Sequence, residues 1–148
     1  MKLLVSLFLL VSLSTFAQSN DQIITNFGAI ADGKTNNAVA IQKLIDKVST
    51  SGGGRVIIPP GNFMTSTLFL KSNVELHLSL GARLLGPTNR FDYPKMEGRP
   101  GIIMAKNQHH IAVTGSGIID GQGAELMLDI FKKLRAGEMM QDSIWLVK

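Results

Sequence analysis

The stretch LFLKSNVELHLSLGARLL, residues 68–85, alternates apolar with polar or small residues: Leu68 and Leu70, then Val74, Leu76, Leu78 and Leu80, then Ala82 and Leu84. A period of two is the mark of a strand that buries one face. The alternation is broken at Lys71-Ser72-Asn73 and again at Leu80-Gly81, so each strand is short and is joined to the next by a tight corner. Further on, Ile102-Ile103-Met104, a polar corner from Lys106 to His110, Ile111 and Val113, and then Ile118-Ile119 repeat the same pattern. A polar corner leading into an alternating strand is the physical repeat, although SNVELHL and HHIAVTG share little sequence.

Short strands with abrupt corners are compatible with a sandwich, a small barrel or a right-handed parallel β-helix. Two features favour the β-helix. The corners are too short for antiparallel Greek-key crossings, and an amphipathic helix lies upstream. In that helix Ala38, Ile41, Ile45 and Val48 recur at helical spacing, while Gln42, Lys43, Asp46 and Lys47 fall on the opposite side. Thr35 or Asn36 is the expected N-cap, and Ser51-Gly52-Gly53-Gly54 the stop. A solenoid needs such a helix, because its open end would otherwise expose apolar interior and unpaired backbone. Before the helix, Ile23, Ile24 and Phe27 read as an apolar strand that turns at Asp32-Gly33; after it, Val56-Ile57-Ile58 reads as a buried strand closed by Pro59-Pro60-Gly61.

The 148 residues contain no cysteine, so burial and backbone hydrogen bonding must hold the fold. Residues 1–17, with Lys2 ahead of LLVSLFLLVSL and small residues in STFA, have the form of a secretory signal peptide. The run is interrupted by Ser6 and Ser12 and falls short of a membrane span, which needs about 20 apolar residues. Residues 18–148 are therefore expected to be secreted or periplasmic, with no membrane contact after signal removal. Fifteen Lys and Arg stand against eleven Asp and Glu, and the densest basic run is only KKLR, Lys132 to Arg135, so no nucleic-acid footprint is expected. Gly52-Gly53-Gly54 follows a helix and precedes a strand, the reverse of a phosphate loop, and Arg55 stands outside the lysine pattern.

Few side chains offer chemistry. Asp120 precedes Gly121 after Ile118-Ile119, taken as a buried pair, and Asp-Gly is turn chemistry. His109 and His110 are neighbours, which on a strand would face opposite ways, so a corner position fits them better than a shared metal. Glu125, Asp129 and Glu138 lie on AELMLDIFKKLRAGEMM, a helical or irregular excursion, and are expected to be solvated charges. No catalytic, cofactor-binding or metal-ligating residue is assigned.

The run FGAIADGKTNNAVAIQKLIDKVSTSGGGRVIIPPGNF, followed by LFLKSNVELHLSLGARLLGP and VTGSGIIDGQG, resembles the N-terminal section of glycoside hydrolase family 28, the polygalacturonases and their relatives. That family lies within the pectate-lyase-like right-handed β-helix superfamily. The sequence departs from the family at Thr35-Asn36-Asn37, where relatives carry an acidic helix start. The resemblance implies an all-β fold, the first coils of a right-handed parallel β-helix with an N-terminal amphipathic capping helix. It also implies inverting hydrolysis of α-linked galacturonic acid in pectin, homogalacturonan or rhamnogalacturonan. The family's catalytic motifs, Asn-Thr-Asp, Asp-Asp, Gly-His-Gly and Arg-Ile-Lys, occur nowhere in these residues. The expectation is therefore an N-terminal part truncated before the catalytic coils, inactive alone, with an apolar C-terminal solenoid face that aggregates or needs a partner. A polysaccharide lyase and a non-catalytic carbohydrate-binding β-helix are the rival expectations.

Overall fold

The computed structural model describes residues 20–96 and 100–138. The signal-peptide expectation, residues 1–17, lies outside them. Ten short strands are separated by corners: β1 (Asp21–Ile23), β2 (Asp32–Asn36), β3 (Gly54–Ile58), β4 (Gly61–Met64), β5 (Leu68–Phe69), β6 (Val74–Leu78), β7 (Ala82–Leu85), β8 (Ile103–Met104), β9 (Ala112–Gly115) and β10 (Ile118–Asp120). Helix α1 (Ala38–Thr50) lies between β2 and β3, and α2 (Gly123–Arg135) follows β10.

The strands stack into three parallel sheets, in the orders β1-β3-β6-β9, β10-β7-β4-β2 and β5-β8. No strand pairs with its neighbour in sequence; each pairs with the strand one coil away. This is the right-handed parallel β-helix. Inward positions form columns, Val56 on Leu76 on Val113 in the first sheet and Phe63 on Leu84 on Ile119 in the second. Phe63, Leu68, Val74, Leu76, Ala82 and Leu84 are fully buried, as the period-two pattern requires. Residues 86–96 lie outside these sheets between β7 and β8, so the interval from Leu76 to Val113 is longer than that from Val56 to Leu76.

The corners before β3, β6 and β9 are left-handed: Gly53 has φ +103°, Asn73 φ +65° and His110 φ +51°. The corners also hydrogen-bond, Gly54 N–H donating to Asn73 O at 3.0 Å and Asn73 N–H to His109 O at 3.0 Å. At Gly53 a side chain is excluded twice, because a Cβ would also stand 2.6 Å from Asn73 O.

Helix α1 buries Ala38, Ile41, Leu44, Ile45 and Val48 against the N-terminal coil. It begins after Asn37 rather than after Thr35 or Asn36, but Asn36 still serves its first turn, accepting from Ala38 N–H at 3.0 Å. Asn37 is buried and ties three segments together. Its amide donates to Ile30 O, Thr35 O and Met64 O, and its oxygen accepts from Ile30 N–H at 2.7 Å. Gln42, expected to face outward, is half-buried and brackets Phe69, accepting its N–H at 2.8 Å and donating to its carbonyl at 3.0 Å. It thereby does for β5 what a neighbouring strand would do.

Three further expectations are corrected. Ile24 to Phe27 form a 3-10 turn rather than a continued strand, the chain bending there through Gly28 at φ +89°. Leu80 is 78% exposed, because β6 ends at Leu78 and Leu80 sits on the corner itself. Ile118 and Ile119 are not buried: Ile118 stacks on the outward-facing Arg83, and Ile119 points inward over Leu84 but is 43% exposed on the last coil described.

Candidate functional site

Because alternate residues of a strand face outward, stacking the coils also lines up the polar residues. On the first sheet the outward rows are Asp21–Arg55–Glu75–Ala112 and Ile23–Ile57–His77–Thr114. Beside them runs an open groove of about 620 Å³, lined among others by Asn20, Asp21, Arg55, Asn73, Glu75 and His110. Arg55 Nε donates to Glu75 Oε1 at 3.1 Å, and its Nη1 stands 3.8 Å from Asp21. Thr114 Oγ1 donates to the same Glu75 oxygen at 2.6 Å, and His77 Nδ1 lies 2.8 Å from Thr114 Oγ1. With its hydroxyl proton committed to Glu75, Thr114 can only accept from the histidine, which places a proton on Nδ1.

The Thr114 hydroxyl, with the Arg55 hydrogen bond and charge and the nearby His77 adding to it, holds the Glu75 carboxyl below the usual carboxylate range against the opposing effect of burial. Glu75 is thus an ionised anchor and not a proton donor, since a general acid for glycosidic cleavage requires a raised pKa. Replacing Thr114 by valine is expected to raise the Glu75 titration midpoint towards the ordinary glutamate value, as followed by carbon NMR of the carboxyl. A midpoint that does not move would contradict the assignment. The sign for stability follows: Glu75 contributes above the unfolded-state pKa, and the contribution is lost as pH falls through the lowered folded value.

The residues singled out from sequence lie elsewhere. Asp120, on the outer face of the second sheet, accepts from Arg83 Nη2 at 2.9 Å across one coil and from Gln122 N–H at 2.9 Å. Both its oxygens are therefore engaged in holding the corner after β10. His109 and His110 occupy the corner before β9 with rings edge to face, 5.1 Å between centroids, and His109 contacts Ser72 Oγ through its N–H and ring. Among the described residues no group of three His, Asp or Glu is placed to hold a metal. Glu125 and Glu138 are exposed, whereas Asp129 is half-buried and paired with Lys133 at 2.7 Å, correcting the expectation of a solvated charge.

Lys133 also donates to Asn89 at 3.1 Å and lies 5.3 Å from the centroid of Phe91, so the segment 86–96 and α2 are joined. Tyr93 supports the junction, donating to Pro87 O at 3.0 Å, and burial pushes its phenol up. The Arg55–Glu75–Thr114–His77 cluster escaped sequence reasoning. Its signal was the outward register of RVII, VELHL and AVTG, which becomes visible only once the coils are aligned.

The comparisons agree with this architecture. Residues 23–123 match the family described as rhamnogalacturonase A/epimerase, pectate lyase-like. An exo-poly-alpha-D-galacturonosidase of Dickeya chrysanthemi is 41% identical over 117 residues, covering 68% of this chain and 19% of that protein. A family 28 exopolygalacturonase of Yersinia enterocolitica superposes with a TM-score of 0.63 at 39% identity, covering 71% of this chain and 21% of that one. A hyperthermoactive exopolygalacturonase of Thermotoga maritima superposes with a TM-score of 0.62 at 31% identity, covering 70% and 25%. The chain thus spans a quarter or less of the relatives named here. With a family match that runs from β1 through the last strand described, the chain belongs to the rhamnogalacturonase A/epimerase, pectate lyase-like family.

Proposed function

We propose that these residues are the capped N-terminal coils of a secreted, pectin-degrading glycoside hydrolase of the polygalacturonase type. The 41% identity to an exo-poly-alpha-D-galacturonosidase, over the residues that build the coils, carries this reading. The reaction is hydrolysis of an α-galacturonosidic bond. A carboxylic acid protonates the leaving oxygen as the anomeric C–O bond breaks, and a carboxylate activates the water that attacks the opposite face, inverting the configuration. We assign neither role to Glu75, Asp120 or Asp129: Glu75 and Asp120 are held by their own neighbours, and Asp129 is paired.

The contribution of these residues is positional. They start the solenoid, cap it with α1 and set the register on which further coils carry the catalytic groups. Polygalacturonate supplied to a protein that continues this chain is expected to yield new reducing ends with inverted anomeric configuration and no ultraviolet-absorbing double bonds. Unsaturated products would replace the hydrolase with a lyase, and binding without products would replace it with a carbohydrate-binding protein. Residues 1–148 alone are expected to release no reducing ends from the same substrate.

A further inference from the structure

The groove on the first sheet encloses about 620 Å³, within the range of roughly 300–1,000 Å³ that small-molecule sites occupy. It crosses all four strands of that sheet, from Asp21 in β1 through Arg55 in β3 and Glu75 in β6 to Ala112 in β9. Neighbouring strands lie about 4.8 Å apart, so the groove is long enough for several linked rings rather than one.

The side chains along it keep hydrogen-bonding capacity in hand. Glu75 commits Oε1 to Arg55 and Thr114, and among the described residues its Oε2 accepts from none. Asp21 meets only Arg55, at 3.8 Å. Arg55 donates to Glu75 through Nε, which leaves N–H groups on both Nη atoms. The Asn73 side-chain amide and the His110 ring make no hydrogen bond within the described residues. Acceptors and donors therefore alternate across the coils, and Ile111 and Ala112 supply an apolar part of the lining.

A matching ligand has groups that donate and accept at once, repeated along its length, with C–H faces between them. A chain of sugar rings has both, because each hydroxyl is donor and acceptor together. The charges choose among sugars. Two carboxylates stand against one guanidinium, so a chain of uronates would bring like charge against Asp21 and Glu75. A simple cation is opposed as well, since the register sets Arg55 between the two carboxylates. The Thr114 hydroxyl, which holds Glu75 ionised, keeps this charge pattern in place.

We propose that the groove crossing β1, β3, β6 and β9 binds an uncharged oligosaccharide, with Asp21, Arg55, Asn73, Glu75 and His110 hydrogen-bonding its hydroxyls and Ala112 against a ring face. This goes beyond the hydrolase reading and does not rest on it: the groove binds without cleaving, and its ligand lacks the carboxylates of polygalacturonate.

The test follows the amide chemical shifts of the 148-residue chain during titration with cellotetraose, maltotetraose, tetragalacturonate and the carboxyl-reduced form of the last. At least one of the three neutral chains is expected to move the amides of Arg55, Asn73, Glu75 and Ala112 and to saturate, with a Kd on the order of 1 mM. Tetragalacturonate is expected to bind at least about 10-fold more weakly than that chain at low salt. Ala112→Ile, which fills the groove from an exposed strand position, is expected to weaken binding by about 10-fold or more. His110→Asn, which removes the ring but tolerates the φ of +51°, should weaken it in the same direction. Val39→Ala, on the exposed side of α1, is expected to leave it unchanged. No saturable shift with any neutral chain, shifts confined to other surfaces, binding that survives both groove variants, or tetragalacturonate held as tightly as the neutral chains would each overturn the proposal.

Discussion

Replacing Phe63 by alanine is expected to lower stability by about 3–5 kcal/mol, the cost of emptying an aromatic site in a packed core. Phe63 is fully buried in β4, stands in register with Leu84, and its ring lies against Gly61, where a Cβ would approach it to 3.3 Å. No side chain nearby can collapse into the space without moving a strand that is fixed on both edges, by β2 on one side and β7 on the other. A domain of this size is stable by about 5–15 kcal/mol, so the variant should lose much of its margin and melt more than about 10 °C lower. A melting temperature within a few degrees of wild type would mean that Phe63 does not fill the solenoid interior.

Asn37→Ala is expected to cost about 2–4 kcal/mol, although it removes only a small polar group. Its side chain pairs with the carbonyls of Ile30, Thr35 and Met64 and with the Ile30 N–H, joining the loop after the 3-10 turn, the end of β2 and the end of β4. Alanine would leave several of these groups unpaired in a site that is 2% exposed. Asn37→Asp keeps the shape and the acceptor but has no amide to donate, so it should fail nearly as badly in chemical denaturation at neutral pH. Stability retained by the aspartate variant would count against the bracing role.

The contrast between Phe63 and Asn37 separates what the sequence carries from what only the fold creates. Burial of Val74, Leu76, Leu78, Ala82 and Leu84 follows from local alternation, and α1 from its apolar spacing, because both periodicities are properties of neighbouring residues. Leu80 continued the alternation on paper; a pattern of period two does not mark the residue at which a strand turns its corner. Ile118 and Ile119 were expected to be buried because they are apolar, but burial depends on what lies above them in the stack. Gln42 sits on the polar side of its helix, and its bonds to Phe69 are contacts between distant segments that a helical projection does not contain.

The outer-face cluster shows the same limit for the candidate site. Arg55, Glu75 and Thr114 become neighbours only through the parallel register of β3, β6 and β9, and the intervals between them in sequence are unequal. His109, His110 and Asp120 attracted attention as residue types able to do chemistry, yet each sits at a corner, where hydrogen bonds to Ser72, Gln122 and Arg83 engage them or their neighbour. Glu75, Asp120 and Asp129 lie in structural pairings that only the stacked coils and the α2 turn create.

The parallel stacking of coils sets which side chains meet in this chain, and through-space proton contacts test it most directly. β6 and β7 are separated by only Ser79, Leu80 and Gly81, so a sandwich or hairpin would pair them antiparallel. The solenoid instead predicts interstrand contacts linking Val56 with Leu76, Leu76 with Val113 and Phe63 with Leu84, and none of ladder type between β6 and β7. Antiparallel contacts between Leu78 and Ala82 or Leu76 and Leu84, in place of the parallel set, would contradict the β-helix.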